Sequence, residues 1–359
     1  MKTKPNVSHT RPVKLLVIAL MAVVGMVLSG CGTKTAVHDD VITLRLATGL
    51  SSKHPITVSA IAPWMEEVIE RTDGRVQFEY YPGGQLIEMA DIFTAVRTGA
   101  VDMGFFVNAN AASSDLPAAD VTALPGFGSD ISVEDMQDAY QIMLDGILSD
   151  VDFAPQGVRP LLGILAGKYQ LLSSGHSIQD VEQMSGMVVR SAGGASDHTL
   201  SALGASPVHL SSGEVYEALQ RGTIDSSVST LESVMTYDYN EVAKSATTNA
   251  PLGAVPTTMV MSEEAWDELP ADVQEAMIAA RASTMESIKQ AYAEARSKTM
   301  AAEEVEFYEL SPEMLDVFEP AAQVAQDKWV EQVNRTGRPA EAVLEAWAAA
   351  LDAVSSDNK

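Results

Sequence analysis

Apolar and polar residues alternate with a period of two in two short stretches near the start of the chain. Residues 42–47 and 76–80 show this pattern, which is typical of strands that bury one face. Apolar residues fall at helical spacing in 64–69 and 89–96, and 101–107 is a nearly continuous apolar run. Such a run is typical of a strand buried on both faces. The order strand, helix, strand, helix, strand predicts a parallel sheet with helical crossovers.

A second set of strands and helices follows in the middle of the chain. The apolar runs at 158–165, 187–189, 208–210 and 224–229 are predicted as strands, separated by segments that carry helix-capping residues. The run at 252–261 is predicted as a strand that returns to the first set. Because the chain leaves the first unit and comes back to it, we expect two lobes that flank a cleft.

The remainder of the chain is predicted to be almost wholly helical. Residues 271 to about 304 contain neither proline nor glycine, which allows one shared helix of about 50 Å. The sequence therefore predicts an α/β fold with two lobes, each built on a parallel-type sheet, and a helical C-terminus. The predicted lobes are 42–166 with about 252–295, and 167–251 with about 296–355.

The first 30 residues have the pattern of a secretory signal peptide. Basic residues without any acid precede an apolar run at 15–28, which is too short to span a bilayer as a helix. The run ends in Leu28-Ser29-Gly30-Cys31, which resembles a bacterial lipobox. We therefore predict export of the chain, lipidation of Cys31, and anchoring to the outer face of the cytoplasmic membrane, with 31–41 as a tether. The alternative is a transmembrane anchor with a chance cysteine.

Composition and charge narrow the range of functions. The chain has 23 basic and 49 acidic residues, and such a polyanion repels nucleic acid, so we expect no nucleic-acid partner. Cys31 is the only cysteine, which excludes disulfides and a cysteine-based zinc site. The chain carries no dinucleotide fingerprint, phosphate loop, metalloprotease motif or nucleophile elbow. We therefore expect no cofactor, no metal and no enzymatic activity.

Candidate ligand-binding residues follow the predicted strands, because ligands of open parallel sheets bind beyond the carboxyl ends of the strands. These residues are suited to hydrogen bonding rather than to acid–base chemistry. Besides Arg190, they are His54, Gln85, Asn108, Asn110, Tyr169, Gln170, Ser229, Thr230 and Glu232.

Among them, Arg190 is the residue whose position most clearly indicates a contact with a ligand. It ends the apolar run at 187–189, and a guanidinium in that position is costly to bury unless it meets an anion. Its planar fork matches a carboxylate, so Arg190 is interpreted as a clamp on an acidic ligand. The alternatives are an ion pair with an acid such as Glu232, or a solvated strand end.

Several segments, in order, resemble the DctP-type solute receptors of tripartite ATP-independent periplasmic (TRAP) transporters. The resemblance covers the chain from about Ile42 to about Met300. The segments that carry it are His54-Pro55, RTDGRVQFEYYPGGQL (71–86), VRTGAVDMGF (96–105), MSGMVVRS (184–191), LGASPV (203–208), EVYEALQRGTID (214–225) and WDELP (266–270).

The resemblance implies a fold, a function and a partner. It implies the type II periplasmic-binding-protein fold, with capture of a small organic acid by closure of the lobes. It implies delivery of that acid to a membrane permease made of a small and a large subunit. It also implies that Arg190 forms a salt bridge with the ligand carboxylate. The alternative partner is an ABC importer or a sensor that uses a receptor of the same fold.

Two departures from the family pattern bear on the ligand. Where the family often has an asparagine, the stretch 225–229 ends in Ser229, and where many members have a second arginine this chain has Gln170. One fewer cation leads us to expect a monocarboxylate, or an acid with polar or aromatic decoration, rather than a C4-dicarboxylate.

Overall fold

The structure is a computed structural model that describes residues 41–112, 115–128, 130–191 and 193–356. The predicted signal peptide, Cys31 and all but the last residue of the predicted tether lie outside these residues. Within the described ranges, no helix is both long enough and apolar enough to cross a bilayer.

The described residues form an α/β protein. The strands are β1 (Ile42–Thr48), β2 (Val76–Tyr81), β3 (Met103–Val107), β4 (Val158–Ser173), β5 (Val188–Ser191), β6 (Ser206–His209), β7 (Ser226–Thr230), β8 (Ser245–Thr247), β9 (Ala254–Ser262) and β10 (Glu306–Tyr308). The α-helices are α1 (Ala62–Arg71), α2 (Ile92–Arg97), α3 (Ala109–Ala112), α4 (Val133–Asp145), α5 (Ala195–Ala202), α6 (Ser212–Gln220), α7 (Leu231–Val234), α8 (Glu263–Asp267), α9 (Ala271–Ala279), α10 (Arg281–Met300), α11 (Pro312–Arg335) and α12 (Ala340–Ser356).

The strands pair in the order β2-β1-β3-β9-β4-β7-β5-β6, and β8 joins β4 to β10. Strand β1 runs parallel to β2 and β3, and β5 runs parallel to β6 and β7. The predicted parallel arrangement is therefore present in both halves of the sheet. Between them, β9 runs antiparallel to β3 and β4, and β4 runs antiparallel to β7. The prediction that the chain returns to the first set through the run at 252–261 agrees with the pairing of β9 with β3.

Alternation places the side chains of the first strands in two cores. Met103 and Phe105 of β3 belong to a hydrophobic cluster with Trp64 of α1, whereas Phe106 belongs to another with Tyr140 of α4 and Trp347 of α12. The sheet is therefore covered on both faces, which explains why the run at 101–107 is apolar throughout.

Strand β4 differs from the prediction, which ended it at residue 165. It continues to Ser173, pairing first with β9 and then, from Tyr169, with β7. The register shifts between Leu165 and Lys168, where Gly167 has a φ of +114°. A left-handed glycine and a bulge interrupt the apolar pattern without ending the strand, because the backbone finds a new neighbour beyond them. Tyr169 and Gln170 therefore lie within the strand rather than after it.

The single long helix predicted from residue 271 is divided in two. Helix α9 ends at Ala279, and α10 runs from Arg281 to Met300 rather than to about 304. At the junction, the backbone hydrogen bond from Thr284 N to Ala280 O is stretched to 3.4 Å. The hydroxyl of Thr284 donates to the same carbonyl at 2.8 Å and competes for it.

Candidate functional site

A cavity of about 740 Å³ lies where the two halves of the sheet meet. The loops after β1 and β3 line it from the first half, and the ends of β5, β6 and β7 line it from the second. Strands β4 and β9, which pair between the halves, contribute Ala166, Tyr169, Val255 and Thr257. The cavity therefore lies beyond the carboxyl ends of the parallel strands, as the rule for open sheets predicts.

The structure brings seven of the predicted site residues to this cavity and leaves three away from it. The cavity is lined by His54, Asn110, Tyr169, Arg190, Ser229, Thr230 and Glu232. Gln85, Asn108 and Gln170 do not line it.

Two of those three amides are committed to the protein interior. Asn108 is fully buried; its Nδ2 donates to Tyr140 Oη at 2.8 Å, and its Oδ1 accepts from Thr258 Oγ1 at 2.8 Å. Gln170 Oε1 accepts from Thr247 Oγ1 at 2.8 Å and from Ala250 N at 3.0 Å. Gln85 is exposed in the turn after β2. A strand-end position therefore does not decide whether a side chain faces the cavity or the core.

Arg190 is the next-to-last residue of β5, and its side chain is almost completely buried, with 6% of the residue exposed. Its Nε donates to Leu210 O at 2.8 Å, and its Nη1 donates to Val228 O at 3.0 Å. Among the residues that the structure describes, no carboxylate lies within ion-pair distance of it, and Glu214 interacts with it only at longer range. The alternatives of an ion pair with Glu232 and of a solvated strand end are therefore wrong. The two carbonyls orient the guanidinium without neutralising its charge.

Glu232 pairs with a different arginine. Its Oε1 lies 3.0 Å from Nη1 of Arg296 on α10, and Nη2 of Arg296 lies 2.6 Å from Oε1 of Glu134 on α4. The Glu232 side chain is only 5% exposed, and burial raises the pKa of this carboxyl, while a hydrogen bond from its own backbone N–H and the nearby Arg296 oppose the rise. We call Glu134, Glu232 and Arg296 the carboxylate–arginine triad.

Aromatic rings form much of the remaining wall. His54, Tyr169, Tyr237 and Tyr292 line the cavity, and the His54 and Tyr237 ring centroids are 6.5 Å apart. Burial lowers the pKa of His54 to about 4, so the imidazole is neutral at pH 7. Tyr237 stacks on Tyr239 with centroids 5.4 Å apart, which fixes its ring. These rings are uncharged at pH 7, and they suit a planar or apolar part of a ligand.

Sequence reasoning missed several of these lining residues. Tyr237 lies in a turn after α7, and Tyr292 lies in the middle of α10, so neither follows a strand. Thr257 lies within β9, and a largely apolar run does not indicate which of its positions face a cavity. The alternation of a strand or the periodicity of a helix indicates a buried face, but not what that face meets.

One serine, one aspartate and one histidine come together at the edge of the cavity. Ser191 Oγ donates to Asp197, and His209 Nε2 lies 2.5 Å from Asp197 Oδ2. The aspartate stands between the other two, so the described hydrogen bonds do not join the imidazole to the hydroxyl that it would have to activate. In the described part of the chain, no group of three or more acids, histidines or cysteines is placed to hold a metal ion. The lining of the cavity as a whole is suited to holding a ligand by charge and hydrogen bonds.

A cavity between two halves of a sheet, lined by a buried arginine that has no carboxylate within ion-pair distance among the described residues, is typical of a binding protein of the periplasmic type. The comparison with protein families agrees. Residues 46–332 match the model of the family described as bacterial extracellular solute-binding protein, family 7. The chain belongs to this family, and the resemblance to DctP-type receptors is confirmed.

Curated relatives are similar over part of their length. A solute-binding protein of Albidiferax ferrireducens is 28% identical over 59% of this chain and 62% of its own length. The C4-dicarboxylate-binding periplasmic protein DctP of Rhodobacter capsulatus is 25% identical over 75% of this chain and 81% of its own length. The first of these matches therefore spans less than two thirds of the relative.

Solved structures show the same fold. A TRAP solute-binding protein from a marine metagenome, specific for aromatic acid ligands and bound to 3-hydroxybenzoate, has a TM-score of 0.77 at 19% identity, over 88% of this chain and 99% of that chain. A TRAP solute-binding protein of Rhodoferax ferrireducens in complex with benzoate has a TM-score of 0.75 at 20% identity, over 89% of this chain and 100% of that chain. The predicted fold class is therefore confirmed.

Proposed function

We propose that this protein is an extracytoplasmic receptor that captures a small organic acid and delivers it to a TRAP-type secondary transporter. One observation carries the proposal: the buried Arg190 guanidinium lines the cavity and has no carboxylate partner among the described residues. An uncompensated charge of this kind is costly, by several kcal/mol in a fully buried setting. A ligand carboxylate would neutralise it with charge-assisted hydrogen bonds.

The names of the similar proteins support an acidic ligand. The Rhodobacter capsulatus relative is named as C4-dicarboxylate-binding, and two of the solved structures contain benzoate or 3-hydroxybenzoate. A further TRAP solute-binding protein, from Bordetella bronchiseptica, contains mandelate. The group that these ligands share is a carboxylate. The aromatic wall of this cavity favours an acid with a ring or another apolar part.

Capture by lobe closure is the mechanism that best fits this site. The proposed lobes are 42–166 with about 252–295, and 167–251 with about 296–355. His54 and Asn110 come from the first, and Arg190 and Ser229 come from the second. A ligand that contacts both sets would stabilise the closed arrangement over the open one. The left-handed Gly167, at the register shift of β4, lies at the boundary where such a hinge would bend.

The proposed location and partners follow from the leader and the family. Export with a lipid on Cys31 would hold the receptor at the outer face of the cytoplasmic membrane, close to the small and large permease subunits. Substitution of Cys31 by serine is expected to remove the lipid label and to release the protein from the membrane fraction. The second candidate partner is an ABC importer or a sensor, and an adjacent ATPase gene in place of a permease pair would favour it. The receptor is proposed to perform no bond chemistry.

A thermal-shift screen of the mature protein against organic acids tests the proposal. A ligand that binds only the folded state raises the melting temperature in proportion to RT ln(1 + [L]/Kd). We expect at least one monocarboxylate to raise it in the wild type and not in Arg190→Gln. Equal shifts in the two proteins would contradict the role of Arg190, and conversion of the bound acid to a product would contradict a pure receptor.

A further inference from the structure

We propose that the ligand is a monocarboxylate that carries a hydrogen-bond donor, an ammonium or a hydroxyl group, at its other end, and that Glu232 binds this donor. The inference rests on the proposed function, because it takes the contact between Arg190 and the ligand carboxylate as given. It assigns a selecting role to the acidic part of the cavity.

The charges around the cavity are unequal. Among the described residues that line it, Arg190 is the one lysine or arginine, whereas Glu88, Glu214 and Glu232 are acids. Glu88 is exposed, and Glu214 accepts hydrogen bonds from Ser211 N at 2.8 Å and Ser211 Oγ at 2.6 Å at the start of α6. Glu232 is therefore the buried acid of this cavity. A ligand meets one cation and one deeply placed anion there.

Glu232 is only partly compensated by its protein partner. Arg296 is shared between Glu134 and Glu232, so the ion pairs of the carboxylate–arginine triad set two carboxylates against one guanidinium. Lys168 on β4 acts on Glu134 at longer range. The Oε1 atom of Glu232 bonds to Arg296, and the backbone N–H of Glu232 itself donates to the carboxylate. No side chain of another described residue is hydrogen-bonded to Oε2. Burial raises the pKa of this carboxyl, which agrees with incomplete compensation.

The backbone beside Glu232 makes room for its Oε2 atom. A β-carbon on Gly167 would lie 2.1 Å from Oε2, so only glycine allows the carboxylate to pack there. The preceding residue, Ala166, lines the cavity, and so do Thr230 and Ser233 on either side of Glu232 in the chain. The carboxylate therefore lies in the wall of the cavity, in the space that the missing β-carbon of Gly167 leaves beside β4.

This pairing of charges selects between kinds of acid. The hydroxyl groups that line the cavity can donate or accept, so they do not discriminate against a second ligand carboxylate. Glu232 does, because a second ligand anion would meet a buried like charge without a cation of its own. An ammonium or hydroxyl group would instead complete the hydrogen bonding of Oε2. The same cavity thus favours a donor and rejects a dicarboxylate.

Two matched series of acids test the inference by calorimetry on detergent-solubilised mature protein. The ring series is benzoate, 3-hydroxybenzoate, 3-(aminomethyl)benzoate and isophthalate. The straight-chain series is butyrate, 4-hydroxybutyrate, 4-aminobutyrate and glutarate. In whichever series binds, we expect the donor-bearing acids to bind about ten-fold or more tightly than the unsubstituted acid, since a hydrogen bond to a charged group has about that strength. The dicarboxylate is expected to bind most weakly.

Glu232→Gln is the test variant and Glu134→Gln is the matched control. Both remove one carboxylate from Arg296, but Glu134 does not line the cavity. Glu232→Gln is expected to abolish the preference for the ammonium-bearing acid and to improve binding of the dicarboxylate about ten-fold. Glu134→Gln should keep the wild-type order. If the control changes the order as much as the test variant does, the triad acts only through the structure and the inference is overturned.

The failure of this inference is distinguishable from failure of the proposed function. If acids bind, and Arg190→Gln abolishes binding, but the unsubstituted acids and the dicarboxylates bind as tightly as the donor-bearing acids, the role of Glu232 is overturned and the receptor stands. If no acid of either series, and none in the broader screen of organic acids, raises the melting temperature of the wild type at millimolar concentration, the proposed function is overturned together with the inference.

Discussion

Two buried or half-buried arginines of this molecule are held in opposite ways. Arg190 is fixed by the backbone carbonyls of Leu210 and Val228 and has no carboxylate partner among the described residues. Arg296 lies between two carboxylates, those of Glu134 and Glu232. Carbonyl oxygens orient a guanidinium without neutralising its charge, whereas carboxylates neutralise it. The first arginine is therefore the one for which we propose an anionic ligand, and the second links helices α4, α7 and α10.

The comparison shows that burial of a cation does not by itself indicate a binding site. On burial and charge alone, both arginines would be candidate ligand-binding residues. What separates them is the identity of the atoms around them, and only the folded structure reveals it. If the two arginines differ in function as their surroundings do, substitution of Arg190 should mainly weaken ligand binding, and substitution of Arg296 should mainly lower stability.

The largest expected effect is on ligand affinity. Arg190→Ala should weaken binding of the acid found in the screen by about 2–5 kcal/mol, the usual cost of removing one partner from a desolvated charge pair. The free energy of unfolding without ligand should fall little, because the substitution removes an uncompensated charge. Calorimetry and urea unfolding measure the two quantities on the same protein. A large loss of stability with unchanged affinity would reverse the assignment.

The next effect concerns the place where Glu232 packs. Gly167→Ala introduces a β-carbon 2.1 Å from Glu232 Oε2 and 2.9 Å from Thr230 Cβ, at a φ of +114°. We expect a loss of about 2–4 kcal/mol in the free energy of unfolding, from strain and overpacking together. Gly222→Ala is the control, because it also has a positive φ of +67° but no atom within 4 Å of its β-carbon. Equal losses in urea unfolding would show that the collision with Glu232 contributes nothing.

The sequence predicts the first half of the fold well and the link between the halves poorly. Strands β1 to β3 and helices α1 and α2 have clear periodicity, and all of them except β3 are followed within three residues by a glycine or a proline. Strand β4 does not, because its course past Gly167 depends on pairing with β7, which is distant in the chain. The break at Ala280 cannot be read from the sequence either, because alanine is a good helix former. The hydroxyl of Thr284 that competes for the Ala280 carbonyl is visible only in the structure, since threonine also occurs inside continuous helices.

The candidate site was predictable to the extent that charge alone indicates it. Arg190 stands out in the sequence because an arginine is costly at the end of an apolar strand. The side chain of Asn108 could equally face a cavity or the core, and the hydrogen bonds to Tyr140 and Thr258 that decide this come from distant segments. Tyr237 and Tyr292 could not be found, because a turn and the middle of a helix carry no strand-end signal.

Removal of the second arginine should affect stability rather than affinity for a simple acid. Arg296→Gln leaves Glu232 buried without a cation, and we expect a loss of about 2 kcal/mol in the free energy of unfolding, less than for a fully buried pair because Arg296 is 33% exposed. Arg221→Gln is the control, since it removes an exposed pair with Glu217 that should contribute almost nothing. Similar losses by urea unfolding in both variants would show that the triad stabilises the fold no more than an exposed ion pair does.

The smallest effect concerns a third buried charge, Asp120, which is 4% exposed and pairs with no described lysine or arginine. Burial raises the pKa of this carboxyl from 3.8 to about 7. The folded state therefore binds this proton more tightly than the unfolded state does, so its contribution to stability is present at low pH and is lost as the pH rises from about 4 to about 7.

Between pH 5 and pH 7 we expect the wild type to lose about 1–2 kcal/mol more than Asp120→Asn, as measured by urea unfolding at each pH. Burial also raises the pKa of Asp152, to about 6, but that group is present in both proteins and cancels in the difference. Parallel pH profiles would mean that Asp120 is compensated in solution. In that case a buried charge without a described partner would not be evidence of an unmet charge, and the interpretation of Arg190 would lose its main physical support.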